Sequence, residues 1–228
     1  LITVMFRKHW TEIIFGLVLL LIIFVPHTAD LGRFQGHDEL MRNRQSLDSF
    51  RALIDGRWGD IYSSNFGGTN LTWAQTGYRL YHFLRLRLLG ENVTLATMAN
   101  YGSDFNPLPG AIFSALLLVI LYPFLRKLFG WPTAALATVI LALDPYLLSE
   151  ARILRTEAAY ATFITLSSVT LALYARTHQR RYLIWTGFWA AWAIATKISG
   201  VILGPIIFVI LLVMAWERRR TPATTSQK

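Results

Sequence analysis

Three groups of ionisable residues carry the chemistry this sequence offers. The first is Gly36-His37-Asp38-Glu39, two adjacent carboxylates just beyond an apolar run. Neighbouring acids at a helix start near a membrane can supply a general base, because low dielectric raises a carboxylate pKa while nearby arginines lower it. The plainer reading is capping, with acidic groups on the positive end of the helix dipole. The second group runs from Asp144-Pro145 to Glu157 and gathers Glu150, Arg152, Arg155 and Glu157 where two apolar runs meet. An arginine there can make charge-assisted bonds to a lipid-linked phosphate, and Glu157 is near enough to steer it. The plainer reading is a salt-bridged loop with snorkelling side chains. Asp144, preceding Pro145 inside an apolar run, is unlike an ordinary surface acid. The third is Lys197, in Ala195-Thr196-Lys197-Ile198-Ser199-Gly200. It is either a second phosphate contact or an interfacial anchor.

The elements that must hold these groups are apolar. The chain has 228 residues, mean hydropathy +0.42, 54% hydrophobic residues and 15% charged ones. A soluble domain carries roughly a quarter charged residues. The segment 10–29 is preceded by Arg7 and Lys8 and has the basic flank of a signal peptide. His27 before the small residues makes a poor cleavage site, and the segment is long enough to span hydrocarbon, so an uncleaved first span is expected. Further spans are expected at Leu108–Leu125, Ala134–Leu148, Ala158–Tyr174, Tyr182–Thr196 and Val201–Trp216. The expectation is an all-α polytopic bundle of about six spans forming a single membrane domain, 1–228. Within it, 30–107 is an extracytoplasmic loop, 108–216 a five-span bundle and 217–228 a cytoplasmic tail.

Charge patterning orients this bundle. Arg7–Lys8, Arg126–Lys127, Arg176 with Arg180–Arg181, and Arg218–Arg220 fall at one set of helix ends. The positive-inside rule makes that set cytoplasmic, and both termini with it. Trp10, Trp131, Trp185 and Trp216 mark the same interface, as an aromatic belt does. Asp38, Glu39, Arg152, Glu157 and Lys197 then share the outer face. The net charge of +9 is absorbed by these helix ends, and no basic stripe indicates nucleic acid as a partner. The absence of cysteine excludes disulfides, a Cys-ligated zinc and thiol catalysis.

The long outer loop has structure of its own. Glu39–Ile54 places Leu40, Leu47, Phe50, Leu53 and Ile54 on one side of a helix. Tyr78–Leu89 mixes Leu80, Tyr81, Leu84 and Leu88 with Arg79, His82, Arg85 and Arg87, a pattern suited to the membrane interface. The cluster His37, Asp38 and Glu39 leaves a divalent cation open without requiring one, and no metal ligands are assigned.

Taken together, these residues resemble the C-type fold of membrane glycosyltransferases, and most closely the protein O-mannosyltransferase and aminoarabinose-transferase group, which is phospholipid-carrier dependent. The likeness rests on Asp38–Glu39 opening the first outer loop, Asn106-Pro107-Leu108-Pro109 at a helix start, Leu143-Asp144-Pro145 through Arg152 to Glu157, and the Lys197 turn. It covers most of residues 10–215. Two details depart from the family pattern: Ser149-Glu150-Ala151-Arg152 stands where Ser-Arg is usual, and Glu157 where Asp is usual.

The resemblance implies inverting transfer of a sugar from a polyprenyl-phosphate donor to an acceptor hydroxyl on the periplasmic, extracellular or ER-lumenal face. Asp38 would be the base, Glu39 and Glu157 would orient the reacting groups, and Arg152, Lys197 and Arg155 would hold the donor phosphate. Family members add further spans and often a soluble domain, so a fragment or a shortened relative is expected, with a partner subunit as one source of missing helices. The alternative is a non-catalytic membrane subunit that uses the same architecture for assembly or lipid binding. A transporter fits less well, because its ionisable residues would lie nearer the bilayer midplane.

Overall fold

A computed structural model describes residues 2–29, 31, 39–60, 69–91, 108–153 and 155–220. The chain is helical throughout these residues. In order they form α1 (Ile2–Thr28), α2 (Glu39–Ile54), α3 (Thr69–Leu88), α4 (Leu108–Phe129), α5 (Trp131–Leu143), α6 (Pro145–Arg152), α7 (Glu157–Thr177), α8 (Arg180–Thr196) and α9 (Leu203–Arg220), with short 3-10 turns at Trp58–Asp60 and Ile198–Ile202.

Among the described residues, three helical segments are long and apolar enough to cross a membrane: Leu108–Phe129, Glu157–Thr177 and Ile198–Glu217. The pair α5 and α6, bent by 56°, is apolar enough together to form a broken span or a re-entrant loop. The expected straight span Ala134–Leu148 is therefore broken at Asp144. Its backbone is extended there (φ −59°, ψ 120°), the conformation a following proline imposes. Pro145 starts α6, and the Asp144 carboxylate accepts the Leu147 N–H at 2.8 Å. The expected first and fifth spans are also helices: α1 runs over 27 residues, with Ile14–Thr28 apolar among the residues whose side chains are described, and α8 has 17 residues. The described structure thus gives three or four crossings by length and composition where six were expected.

The core is built from α1, α4, α5, α7 and α8 around Ile23, Ala115, Leu118, Leu121, Phe163, Leu166 and Ala193. Small residues let α7 and α8 approach closely, and hydroxyls tie them, as in membrane helix pairs generally. Ser167 donates to the Thr186 carbonyl at 3.1 Å, and the Thr186 hydroxyl meets that of Thr170 at 3.1 Å. Phe163 stacks on Trp189 and Trp192 beside this seam. The outward side of α9, with Phe208, Val209, Leu212 and Val213, is exposed, as a lipid-facing surface would be.

The two charged sets lie at opposite ends of the bundle. At one end Arg176 donates to the Leu128 carbonyl at 2.7 Å, and Lys127 and Arg181 lie over the Tyr182 ring. The left-handed His178 (φ 55°) turns the chain from α7 into α8 there. The other end brings the close of α1 to α6, and the start of α7 to the close of α8.

The loop helices are packed together rather than lying separately. Phe50 and Leu86 are buried between α2 and α3 with Leu47, Leu80 and Phe83 around them, and Phe50 meets Phe83 edge-on at 5.7 Å. Arg79 is buried in this seam and donates to the Ser46 hydroxyl at 3.1 Å. α3 starts at Thr69, nine residues before the helix expected from Tyr78, and it also touches α4 and α8. The tail 221–228 lies outside the described residues.

His82 sits on α3 beside Tyr78, with ring centroids 4.5 Å apart. Burial, and then the charge of Arg85, hold its imidazole below the ordinary value. Folding therefore favours the neutral ring. The stability it contributes is complete above the ordinary pKa of about 6.5 and falls as the pH drops through that value. Nuclear magnetic resonance titration of labelled histidine should place the His82 midpoint below that of a random-coil histidine. Arg85→Gln should raise it only partway, since burial is the larger cause.

Candidate functional site

The outer end of the bundle is organised by the turn between α6 and α7. α6 ends at Arg152 because Ile153 adopts extended backbone (φ −100°, ψ 149°). The chain therefore reverses within a few residues and delivers Arg152, Arg155 and Glu157 to one region. Arg152 donates from Nη2 to the Ala29 carbonyl at 2.6 Å, which closes the last turn of α1. That contact joins residues 123 apart in the chain and ties α1 to the turn. His27, fully buried two residues back, bonds the Ile23 carbonyl through Nδ1 at 2.8 Å.

Arg155 folds back onto α6, where its Nη1 donates to Glu150 Oε1 at 3.1 Å. The pair is lopsided: the Glu150 side chain is 8% exposed and that of Arg155 39%. Glu150 Oε2 and Arg155 Nε are buried without a hydrogen-bond partner among the described residues. A buried carboxylate without its cation would be strongly unfavourable, so Arg155 has a structural duty besides any other.

The third contact crosses from α7 to the end of α8. Lys197 donates from Nζ to Glu157 Oε1 at 3.2 Å, with side chains 44% and 31% exposed. The Thr156 hydroxyl reaches Glu157 Oε2 at 3.4 Å. Lys197 also lies 6.0 Å from the centre of the Tyr160 ring, and Ser199 donates to the Tyr160 hydroxyl at 3.1 Å. Glu157, Tyr160, Lys197 and Ser199 thus form one polar cluster. Tyr160 was not among the expected site residues, and Glu150 stood in the second ionisable group without an assigned role. Tyr160 lies 39 residues from Ser199, a separation without periodicity. Glu150 stands in the acidic stretch, but nothing in its spacing marks its burial.

Arg152, Arg155, Glu157 and Lys197 are therefore all placed on one end of the bundle. Asp38 and His37 lie outside the described residues, and Glu39 is the first residue of α2 with its side chain outside them. Asp144, the acid singled out by its place before proline, is an N-cap. Among the described residues no three His, Asp or Glu side chains are grouped to hold a metal ion.

This arrangement of spans and charged turn coincides with a family match over residues 102–226, described as dolichyl-phosphate-mannose-protein mannosyltransferase. The chain belongs to that family. It is a membrane glycosyltransferase family, and the matched region contains the α6–α7 turn, the Lys197 cluster and α9. No curated protein and no solved structure matches the chain.

Lys197 owes its position to a tight backbone exit. Its N–H bonds the Ala193 carbonyl at 2.9 Å, and the Gly200 N–H bonds the Lys197 carbonyl at 2.8 Å. A Cβ on Gly200 would lie 2.8 Å from the Ala193 carbonyl carbon and from the Ile194 nitrogen. These are backbone atoms and cannot step aside. Gly200→Ala should lower the thermal midpoint in detergent by the equivalent of about 1–3 kcal/mol, the usual range for overpacking. Ser199→Ala, which only removes a hydroxyl from the exposed side, should cost less.

Proposed function

We propose that the chain is a module of an inverting glycosyltransferase that takes a sugar from a polyprenyl-phosphate donor to an acceptor hydroxyl on the extracytoplasmic face. The observation that carries this reading is the family match over a region whose cations, Arg152, Arg155 and Lys197, collect at one end of an apolar bundle. A lipid-linked phosphate lies at that depth, and fixed cations stabilise negative charge best where water is partly excluded.

In the transfer, the acceptor oxygen attacks the sugar's anomeric carbon as the bond from that carbon to the phosphate oxygen breaks. The acceptor proton passes to the Asp38 carboxylate, and the charge left on the lipid phosphate is met by Arg152 and Lys197. Arg155 contributes a further positive charge from its place beside Glu150. Glu157 holds Lys197 in place, and Glu39 orients the acceptor. The basic end with Lys127, Arg176 and Arg181 then faces the cytoplasm, and the outer turn faces the periplasm, the exterior or the ER lumen.

One observation favours the second reading, a non-catalytic subunit. Lys197 and Arg155 each already face a carboxylate, as they would in a purely structural network.

Binding of a long-chain polyprenyl-phosphate hexose to the purified protein separates the two. Saturable binding that Arg152→Ala weakens about tenfold, near 1.4 kcal/mol, supports the transferase. Absence of binding, with both proteins showing the same helical circular dichroism and melting, removes it. Where transfer is measurable, Asp38→Asn should abolish turnover while leaving donor binding and melting unchanged. Near-normal transfer by that variant would end the base role.

A further inference from the structure

We propose that the hairpin of α2 and α3 docks onto the anionic phospholipid headgroups of the bilayer. The inference rests on the outer face of α3 and stands apart from the catalytic reading.

The side of α3 that packs on α2 uses Arg79, Phe83 and Leu86. The opposite side carries Tyr81, Leu84 and Leu88, which follow at i, i+3 and i+7 and share one face. All three are exposed, Leu88 at 88%, and Leu89 beside them at 65%. Trp58, in the 3-10 turn after α2, is exposed as well. Such a row of large apolar groups is costly in water and ordinary at the boundary of headgroups and acyl chains.

Charge selects the kind of lipid. Between Thr69 and Leu88 α3 contains Arg79, Arg85 and Arg87 and no acid, and Glu91 follows its end. On α2 the cations near the tip are neutralised locally: Arg51 pairs with Asp48, and Arg57 with both Asp55 and Asp60. Arg85 and Arg87 have no carboxylate partner among the described residues. Arg87 instead lies over the Phe83 ring at 5.0 Å, which holds it along the helix flank. Two arginines beside an apolar face match a negatively charged headgroup layer, with leucines entering below the phosphates.

The chain has no cysteine, so a single introduced one gives a unique label. Leu89→Cys, carrying an environment-sensitive fluorophore, would be placed in nanodiscs of phosphatidylcholine alone or with added phosphatidylglycerol. Quenching by lipids brominated near the glycerol backbone should be at least twofold stronger in the anionic discs. Arg85→Gln with Arg87→Gln should return it to the neutral-disc value. Both arginines are exposed, so that variant should melt as the parent does. Equal quenching in the two discs, no quenching in either, or an anionic preference that survives the double substitution would each overturn the proposal.

Discussion

Hydrocarbon tolerates ionisable side chains poorly and unbonded backbone hardly at all, and the described structure follows from that constraint. The long helices satisfy their own backbones. Apart from His27 near the end of α1, the polar groups they bury are mostly small hydroxyls that bond back to their own helix or across the α7–α8 seam, such as Thr138, Thr162 and Thr170. Charge is thereby driven to the helix ends. Once there, the sequence of up and down crossings sorts it into two collections. The collection containing Arg152, Arg155, Glu157 and Lys197 is thus partly a by-product of topology. What topology does not require is that the pairs cross between elements, as Arg152 does to α1 and Lys197 does to α7.

The break at Asp144 shows how local chemistry serves that arrangement. A straight helix through 131–152 would carry Glu150 and Arg152 along a continued axis. The extended residue before Pro145 bends it by 56°, and the Asp144 carboxylate caps the new start. The short helix α6 then packs against α1, α4 and α7. Its bend lets Arg152 reach the end of α1 while Glu150 is buried. Asp144 therefore acts through shape, and the charges it helps position lie two turns further on.

The apolar runs were legible because each is long and its flanking charges are plain. The helix in Glu39–Ile54 was legible from one-sided periodicity. The first half of α3 was not: Thr69 to Gly77 is largely polar and carries no apolar periodicity. Length and composition identify three or four crossings among the described residues because α8, at 17 residues, is shorter than the longer helices. In the site, Arg152 and Lys197 were singled out from residue type and depth, but their partners were hidden. Arg155 reaches Glu150 five residues back, a spacing that helical side-chain rules do not pair; it works only because Ile153 turns the chain. Asp38, the residue on which the proposed chemistry turns, lies outside the described residues, so its standing rests on the sequence alone.

The three cations differ in what they can offer a phosphate. Arg155 is bound to a carboxylate that is nearly inaccessible, so releasing it would strand a buried charge; it can contribute field but not leave its partner. Lys197 and Glu157 are both partly exposed, and a pair in that setting is worth little and exchanges readily. In the proposed transfer the arriving phosphodiester carries a single negative charge, as a carboxylate does, and the lipid monophosphate left when the sugar departs can carry two, so Lys197 would shift from Glu157 toward it as the bond breaks. Arg152 holds the Ala29 carbonyl through Nη2 and so keeps α1 in place. If the site works as proposed, Lys197 is the cation that changes partners during turnover, Arg152 the one that stays, and Arg155 the fixed charge behind them.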